Sequence, residues 1–153
     1  MSKVLSVKEE LINKKELIFR DPNLHKDPLK FSMDYSLLAE EYIRLLADNK
    51  KYNFALTSAG SFSRRELSPY SDIDLIFITE SVEDNKGDIT ELVTKFWDNG
   101  IEASHTTREF SDIQRFLESD LQTFTQFFET RPDDIFIVDK RRHGHQPQDP
   151  DVL

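Results

Sequence analysis

Asp72 and Asp74 stand two positions apart in the run Ser71-Asp72-Ile73-Asp74-Leu75-Ile76-Phe77, whose alternation predicts a strand. Side chains at i and i+2 of a strand leave the same face, so the spacing points both carboxylates at one spot. Ile73, Leu75 and Phe77 take the opposite face and make it the core side. Two like charges held that close repel and stay partly protonated unless a cation joins them. A hard divalent ion such as Mg²⁺ suits the pair, because it prefers carboxylate oxygens and keeps positions open for water and phosphates. Shortly before the pair comes Ala59-Gly60-Ser61-Phe62-Ser63, followed at once by Arg64 and Arg65. Gly60 lets backbone N–H groups approach an anion, and Ser61 and Ser63 add hydroxyl donors. A phosphate-holding turn just ahead of a metal-holding pair fits one task, gripping a nucleoside triphosphate by its phosphates and its Mg²⁺.

Each feature alone has an ordinary reading. An Asp-x-Asp on a strand is most often a solvated edge or a turn, and turns need Gly-Ser anyway. Arg64, Arg65 and Glu66 equally make an exposed charge cluster worth little to stability. The combination is what carries the reading, and it requires elements that bring the turn and the strand together. An apolar strand from Phe54 ends at Gly60, and the second strand runs to Thr79. Ahead of them a helix is expected over residues 32–49, with Ser32 or Asp34 as N-cap and Tyr35, Leu38, Tyr42, Leu45 and Leu46 on one stripe. Further upstream, Val4 to Phe19 has helical spacing, with Leu5, Leu11, Ile12 and Ile18 on a face, and Asp21-Pro22 and Asp27-Pro28 break the chain.

Downstream, the acidic stretch Glu80 to Asp88, which contains Gly87, reads as a loop. A helix follows over residues 89–99, with Leu92, Val93, Phe96 and Trp97 inward and Gly100 as its stop, then a third strand over residues 101–107. Residues 111–130 predict a long helix with Ile113, Phe116, Leu117, Leu121, Phe124, Phe127 and Phe128 on one face. Ile135 to Val138 offers a short strand, and the polar, Pro-containing tail of residues 139–153 is expected to be flexible. In that tail His143 and His145 are too sparse for a metal tract, and Lys140 to Arg142 read as a solvated basic patch.

Gly60-Ser61, Arg64, Glu66-Leu67, Pro69 and Ser71-Asp72-Ile73-Asp74-Leu75 together resemble the nucleotidyltransferase signature of the polymerase-β-type superfamily. The resemblance is strongest to the branch of bacterial PII-protein uridylyltransferases and related nucleotidyltransferases. Phe96-Trp97-Asp98, Gly100-Ile101-Glu102 and Ser104-His105-Thr106-Thr107-Arg108 look like further segments of that branch, so the likeness covers roughly residues 35 to 131. Ser61, Ser63 and Ser104 stand where the branch has Gly. The resemblance implies an α/β (α+β) fold, a small mixed sheet flanked by helices. It also implies in-line attack of an acceptor hydroxyl on the α-phosphate of a nucleoside triphosphate, with pyrophosphate leaving. Asp72 and Asp74 would then hold Mg²⁺ or Mn²⁺, and Gly60, Ser61, Ser63 and Arg64 would hold the nucleotide. The superfamily's third carboxylate would fall on Glu102, whose alternative is a solvent-facing strand position. His105 takes a structural role in this reading, and Glu66 fixes Arg64 or the turn.

The chain of 153 residues suits one domain. It divides into an N-terminal helical extension (1–31), a nucleotidyltransferase-like domain (32–138) and the tail (139–153). Zero cysteines exclude disulfides, thiolate zinc sites and a cysteine nucleophile. No apolar run reaches the length of a membrane span and no signal-peptide core is present, so no membrane partner is expected and the cytoplasm is the default compartment. A formal net charge of −9 argues against a long nucleic-acid partner, which needs clustered Lys and Arg to displace counterions. The expected partners are a nucleoside triphosphate and a protein or small-molecule acceptor. The related uridylyltransferases are long proteins with further domains that do not fit in this length. Two other functions therefore stand beside transfer: a nucleotide-binding or interaction module without turnover, as fragment or regulator, and an antitoxin-like nucleotidyltransferase that modifies a partner.

Overall fold

The computed structural model describes residues 5–23, 26–48, 50–119 and 135–137. The chain opens with α1 (Val7–Phe19), which Ser6 starts with a complete capping box: its hydroxyl accepts from the Glu9 amide while the Glu9 carboxylate reaches back to the Ser6 amide. α2 (Pro28–Ala47) begins four residues earlier than the apolar stripe alone suggests. Asp27 caps it by accepting from the Lys30 amide, and Pro28 occupies the first turn, where its missing N–H costs nothing. The Asp27-Pro28 pair is thus the start signal of α2 as well as a break in the preceding chain. α1 packs along α2 through Leu11 and through Phe19, whose ring meets Phe31 and Tyr35 edge-on at 5.2 Å in each case. Lys14 reaches both Glu10 and Glu41, whose carboxylates hold its ammonium above the ordinary lysine range. The N-terminal helical extension therefore packs on α2.

After α2 the chain forms β1 (Phe54–Ser58), the single helical turn α3 (Gly60–Ser63) and β2 (Ile73–Thr79). β1 and β2 pair antiparallel with Phe54 opposite Thr79 and Ser58 opposite Leu75. α4 (Val82–Asp98) then crosses back and delivers β3 (Ala103–Glu109), which pairs parallel to β2 with Ile73 beside Ala103 and Asp74 beside Ser104. α5 (Phe110–Ser119) follows directly, and β4 (Ile135–Ile137) adds to the far side of β1, giving the order β3-β2-β1-β4. This is an α/β fold built on a small mixed sheet, as the sequence leads one to expect. One sheet face, with Phe54, Leu56, Ile73, Leu75 and Phe77, joins α2 and α4 in the core through Tyr42, Ile43, Leu92 and Phe96. The other face carries Asp74, Ile76 and Ile78 in register with Ser104, Thr106 and Arg108.

Two expectations are corrected here. Residues 82–88 are helix rather than loop, because Ser81 caps α4 and Glu83 and Asp84 complement its first turn. β3 is displaced two residues toward the C-terminus, which leaves Glu102 ahead of the strand. The turn expected at Gly60 is found as a single helical turn. Of the helix expected over residues 111–130, the part to Ser119 is found, and the remainder lies outside the described residues, as does the tail 139–153.

Candidate active site at the Gly60 turn and the start of β2

β1 is a buried apolar strand, and at its end the chain must turn sharply beside the start of β2. The Ala59 amide donates to the Asp74 carbonyl at 2.9 Å, so the turn is tied to β2 before it begins. Gly60 follows with φ +56°, a left-handed conformation that glycine adopts without steric cost. A second constraint acts at the same residue. A Cβ on Gly60 would lie 2.7 Å from Asp74 Oδ2, so any other residue here would force the carboxylate to move, in addition to straining the backbone. Ser63 closes the turn: its amide donates to the Ala59 carbonyl at 3.2 Å and its hydroxyl to the Gly60 carbonyl at 2.8 Å.

These contacts sort the residues singled out from the sequence. Asp74 lies within β2, half-buried, and lines an open cleft of about 160 Å³ together with Gly60, Ser104 and Thr106. Asp72 sits immediately ahead of β2, is exposed, and is not among the residues lining that cleft. Ser61 is half-buried within the α3 turn. Ser63 is fully buried and its hydroxyl is spent on Gly60, which makes it a holder of the turn and removes it as a phosphate donor. Arg64 is exposed, and its Nε donates to Glu66 at 2.8 Å, as the fixing role of Glu66 requires. Glu102 is exposed, one residue before β3, and its carbonyl accepts from the Ile73 amide at 3.1 Å. His105 points to the opposite side of β3 from Ser104 and meets the Phe77 ring edge-on at 5.6 Å.

Among the described residues, no three His, Cys, Asp or Glu side chains group closely enough to hold a metal ion. Asp72, Asp74 and Glu102 therefore do not form a ready-made three-carboxylate cage. The donor chemistry still suits Mg²⁺ or Mn²⁺. Mg²⁺ is commonly held by one or two carboxylates and completes its shell with water and substrate phosphates, and Asp74 stands against a backbone turn left open by the absence of a side chain at Gly60. The turn also differs from its neighbours in capping. Ser6, Asp27 and Ser81 place side-chain acceptors on the first turns of α1, α2 and α4, whereas Ala59 offers none to the Gly60 turn.

Two supports were missed in the sequence. Arg65, with φ +56°, makes a bidentate pair to Glu40 of α2, at 2.9 Å and 3.1 Å, that straps the turn to the helix beneath it. The signal was an acid at an inward position of the α2 stripe, between Tyr35 and Ile43. Ser104 donates to Asp74 Oδ1 at 2.5 Å. No sequence signal reveals that contact, because it depends on the register of two parallel strands far apart in the chain.

Asp74, on the second strand of a small mixed sheet, thus faces a glycine-led turn. Over part of its length the chain is similar to known proteins. The bifunctional uridylyltransferase/uridylyl-removing enzyme of Hydrogenovibrio crunogenus is 32% identical over 95 residues, covering 62% of this chain and 11% of the relative. The enzyme of the same name from Pseudomonas fluorescens is 32% identical over 81 residues, covering 52% and 9%. That from Aliivibrio fischeri is 32% identical over 99 residues, covering 61% and 10%. These homologues support a nucleotidyltransferase-related family for the chain, which spans about a tenth of the length of the curated relatives it matches. No protein-family model matches it, and no solved structure matches it significantly. Among the described residues no helix is long and apolar enough to cross a membrane.

Proposed function

We propose that the chain carries a nucleotidyltransferase site that moves a nucleoside monophosphate from a nucleoside triphosphate to a hydroxyl of a protein or small-molecule acceptor. The observation that carries this reading is the close approach of Asp74 to Gly60 in one cleft, where the backbone of the turn would receive an anion and the carboxylate a cation. Asp74 and Asp72 are the side chains that would hold Mg²⁺ or Mn²⁺. When bound, the ion would supply neutralisation of the phosphate charge and acidification of the acceptor hydroxyl. The backbone of Gly60 and Ser61 would receive the β- and γ-phosphates. Arg64, oriented by Glu66, would offset charge on the departing pyrophosphate, a task for which a preorganised cation is effective. In the transfer the acceptor oxygen bonds to the α-phosphorus, the bond from that phosphorus to the pyrophosphate oxygen breaks, and the hydroxyl proton is released.

A second reading, nucleotide binding without turnover, is favoured by the position of Glu102 outside β3 and by the lack of a three-acid group among the described residues. One experiment separates the two. The protein is incubated with Mg²⁺, labelled nucleoside triphosphates and candidate acceptors, and pyrophosphate release and label transfer are followed. Transfer by the wild type that falls at least about 100-fold in Asp74→Asn or Asp72→Asn, with an unchanged melting temperature, is the result expected. Full activity in either variant contradicts the metal assignment, and saturable binding with no product favours the second reading. In the same assay Glu102→Gln at the wild-type rate removes Glu102 from the site.

A further inference from the structure

The carboxylate of Asp74 is held from two sides. On one side the parallel register sets Ser104 directly beside it, and the Ser104 hydroxyl donates to Oδ1 at 2.5 Å, within the range of a hydrogen bond to an ionised carboxylate. On the other, Oδ2 faces the Cα of Gly60 so closely that a Cβ there would fall 2.7 Å from it. The terminal torsion of an aspartate is broad, and a half-exposed carboxylate on a strand has several orientations open to it. Here the two oxygens are distinguished, one engaged by β3 and the other directed at the turn. Ser104 is exposed and contributes nothing to the core, so its contact with Asp74 is the one structural task visible for it.

We propose that Ser104 is a positioning residue for Asp74, holding its side chain in the one rotamer that directs a carboxylate oxygen at the Gly60 turn and at a cation held there. The consequence for ion binding rests on the function proposed above; the effect on Asp74 itself does not. Without the Ser104 hydroxyl the carboxylate would keep only its approach to Gly60.

The test compares wild type with Ser104→Ala and Ser104→Thr, each checked by thermal melting. Three-bond couplings to the Asp74 side-chain carbonyl carbon, measured by NMR on the free protein, report whether its first torsion occupies one rotamer. The affinity for Mn²⁺ added alone is measured by electron paramagnetic resonance. The wild type should show a single rotamer, Ser104→Ala an average of rotamers with Mn²⁺ affinity weaker by roughly three- to tenfold, the equivalent of one hydrogen bond. Ser104→Thr should restore the single rotamer and bring the affinity to within about twofold of wild type. Wild-type couplings in Ser104→Ala, or averaging that persists in Ser104→Thr, overturn the proposal. Released couplings with unchanged Mn²⁺ affinity overturn its extension to the ion. A wild type that binds no Mn²⁺ removes the metal reading of Asp74, while the couplings still decide the role of Ser104.

Discussion

Gly60 is where backbone geometry and site chemistry impose the same requirement. Its φ of +56° costs an L-residue about 1–2 kcal/mol, and the approach of Asp74 Oδ2 leaves no room for a methyl group. Gly60→Ala is therefore expected to lower stability by about 2 kcal/mol and to turn the Asp74 carboxylate away from the turn. Chemical denaturation gives the first effect, and loss of Mn²⁺-dependent nucleotide binding the second. A Gly60→Ala protein with wild-type stability and binding would show that neither constraint operates. At this scale the sequence was informative where chemistry and local conformation coincide, as at Gly60 and Asp74. It misled at Ser63, because a serine in a glycine-led turn serves equally as ligand donor or turn closer, and only its burial and its bond to the Gly60 carbonyl distinguish them.

The elements were legible where a cap or a stripe is local, and obscure where a competing signal overlaid them. The start of α4 was hidden by Glu83, Asp84 and Gly87, which read as loop composition, although Ser81 followed by two acids is equally the beginning of a helix. Gly87 lies inside that helix, and a Cβ there meets nothing within 4 Å. Gly87→Ala should accordingly raise stability by about 0.5–1 kcal/mol, through the unfolded chain's loss of freedom, and leave nucleotide binding unchanged. An unchanged or lower denaturation midpoint would show that the helix does not persist through this residue in solution. The strap from α2 to the turn gives a second test. Glu40 is nearly buried beneath Arg65, which holds a left-handed backbone at φ +56° while making its bidentate pair. Glu40→Ala is expected to cost about 2 kcal/mol by stranding the half-buried guanidinium. Arg65→Gly removes the pair and relieves the backbone by about 1 kcal/mol. The double variant should then be more stable than the sum of the single effects predicts, by at least about 1 kcal/mol. Additive losses in denaturation would mean that the two residues do not act as a unit.

Across the whole molecule the layers form a chain of support: α1 packs on α2, α2 carries Glu40, and Glu40 holds the turn that faces Asp74. The helical extension thus contributes to the site without touching it. The overall charge sets a further limit on what that site can receive. A formal net charge of −9 repels the polyanionic backbone of a long nucleic acid, and binding such a polymer depends on several Lys and Arg releasing counterions together. A single triphosphate makes no such demand, since in the function proposed above one divalent ion and Arg64 would balance its charge locally. The protein is therefore expected to bind a nucleoside triphosphate with Mg²⁺ in about 150 mM salt while failing to retain a duplex DNA or RNA at micromolar concentration under the same conditions. Fluorescence anisotropy with labelled duplexes, run beside calorimetry with the triphosphate, measures both. Tight duplex binding that weakens steeply with added salt would place a polymer at the cleft, and the acceptor would then have to be sought among nucleic-acid ends rather than among proteins and small molecules.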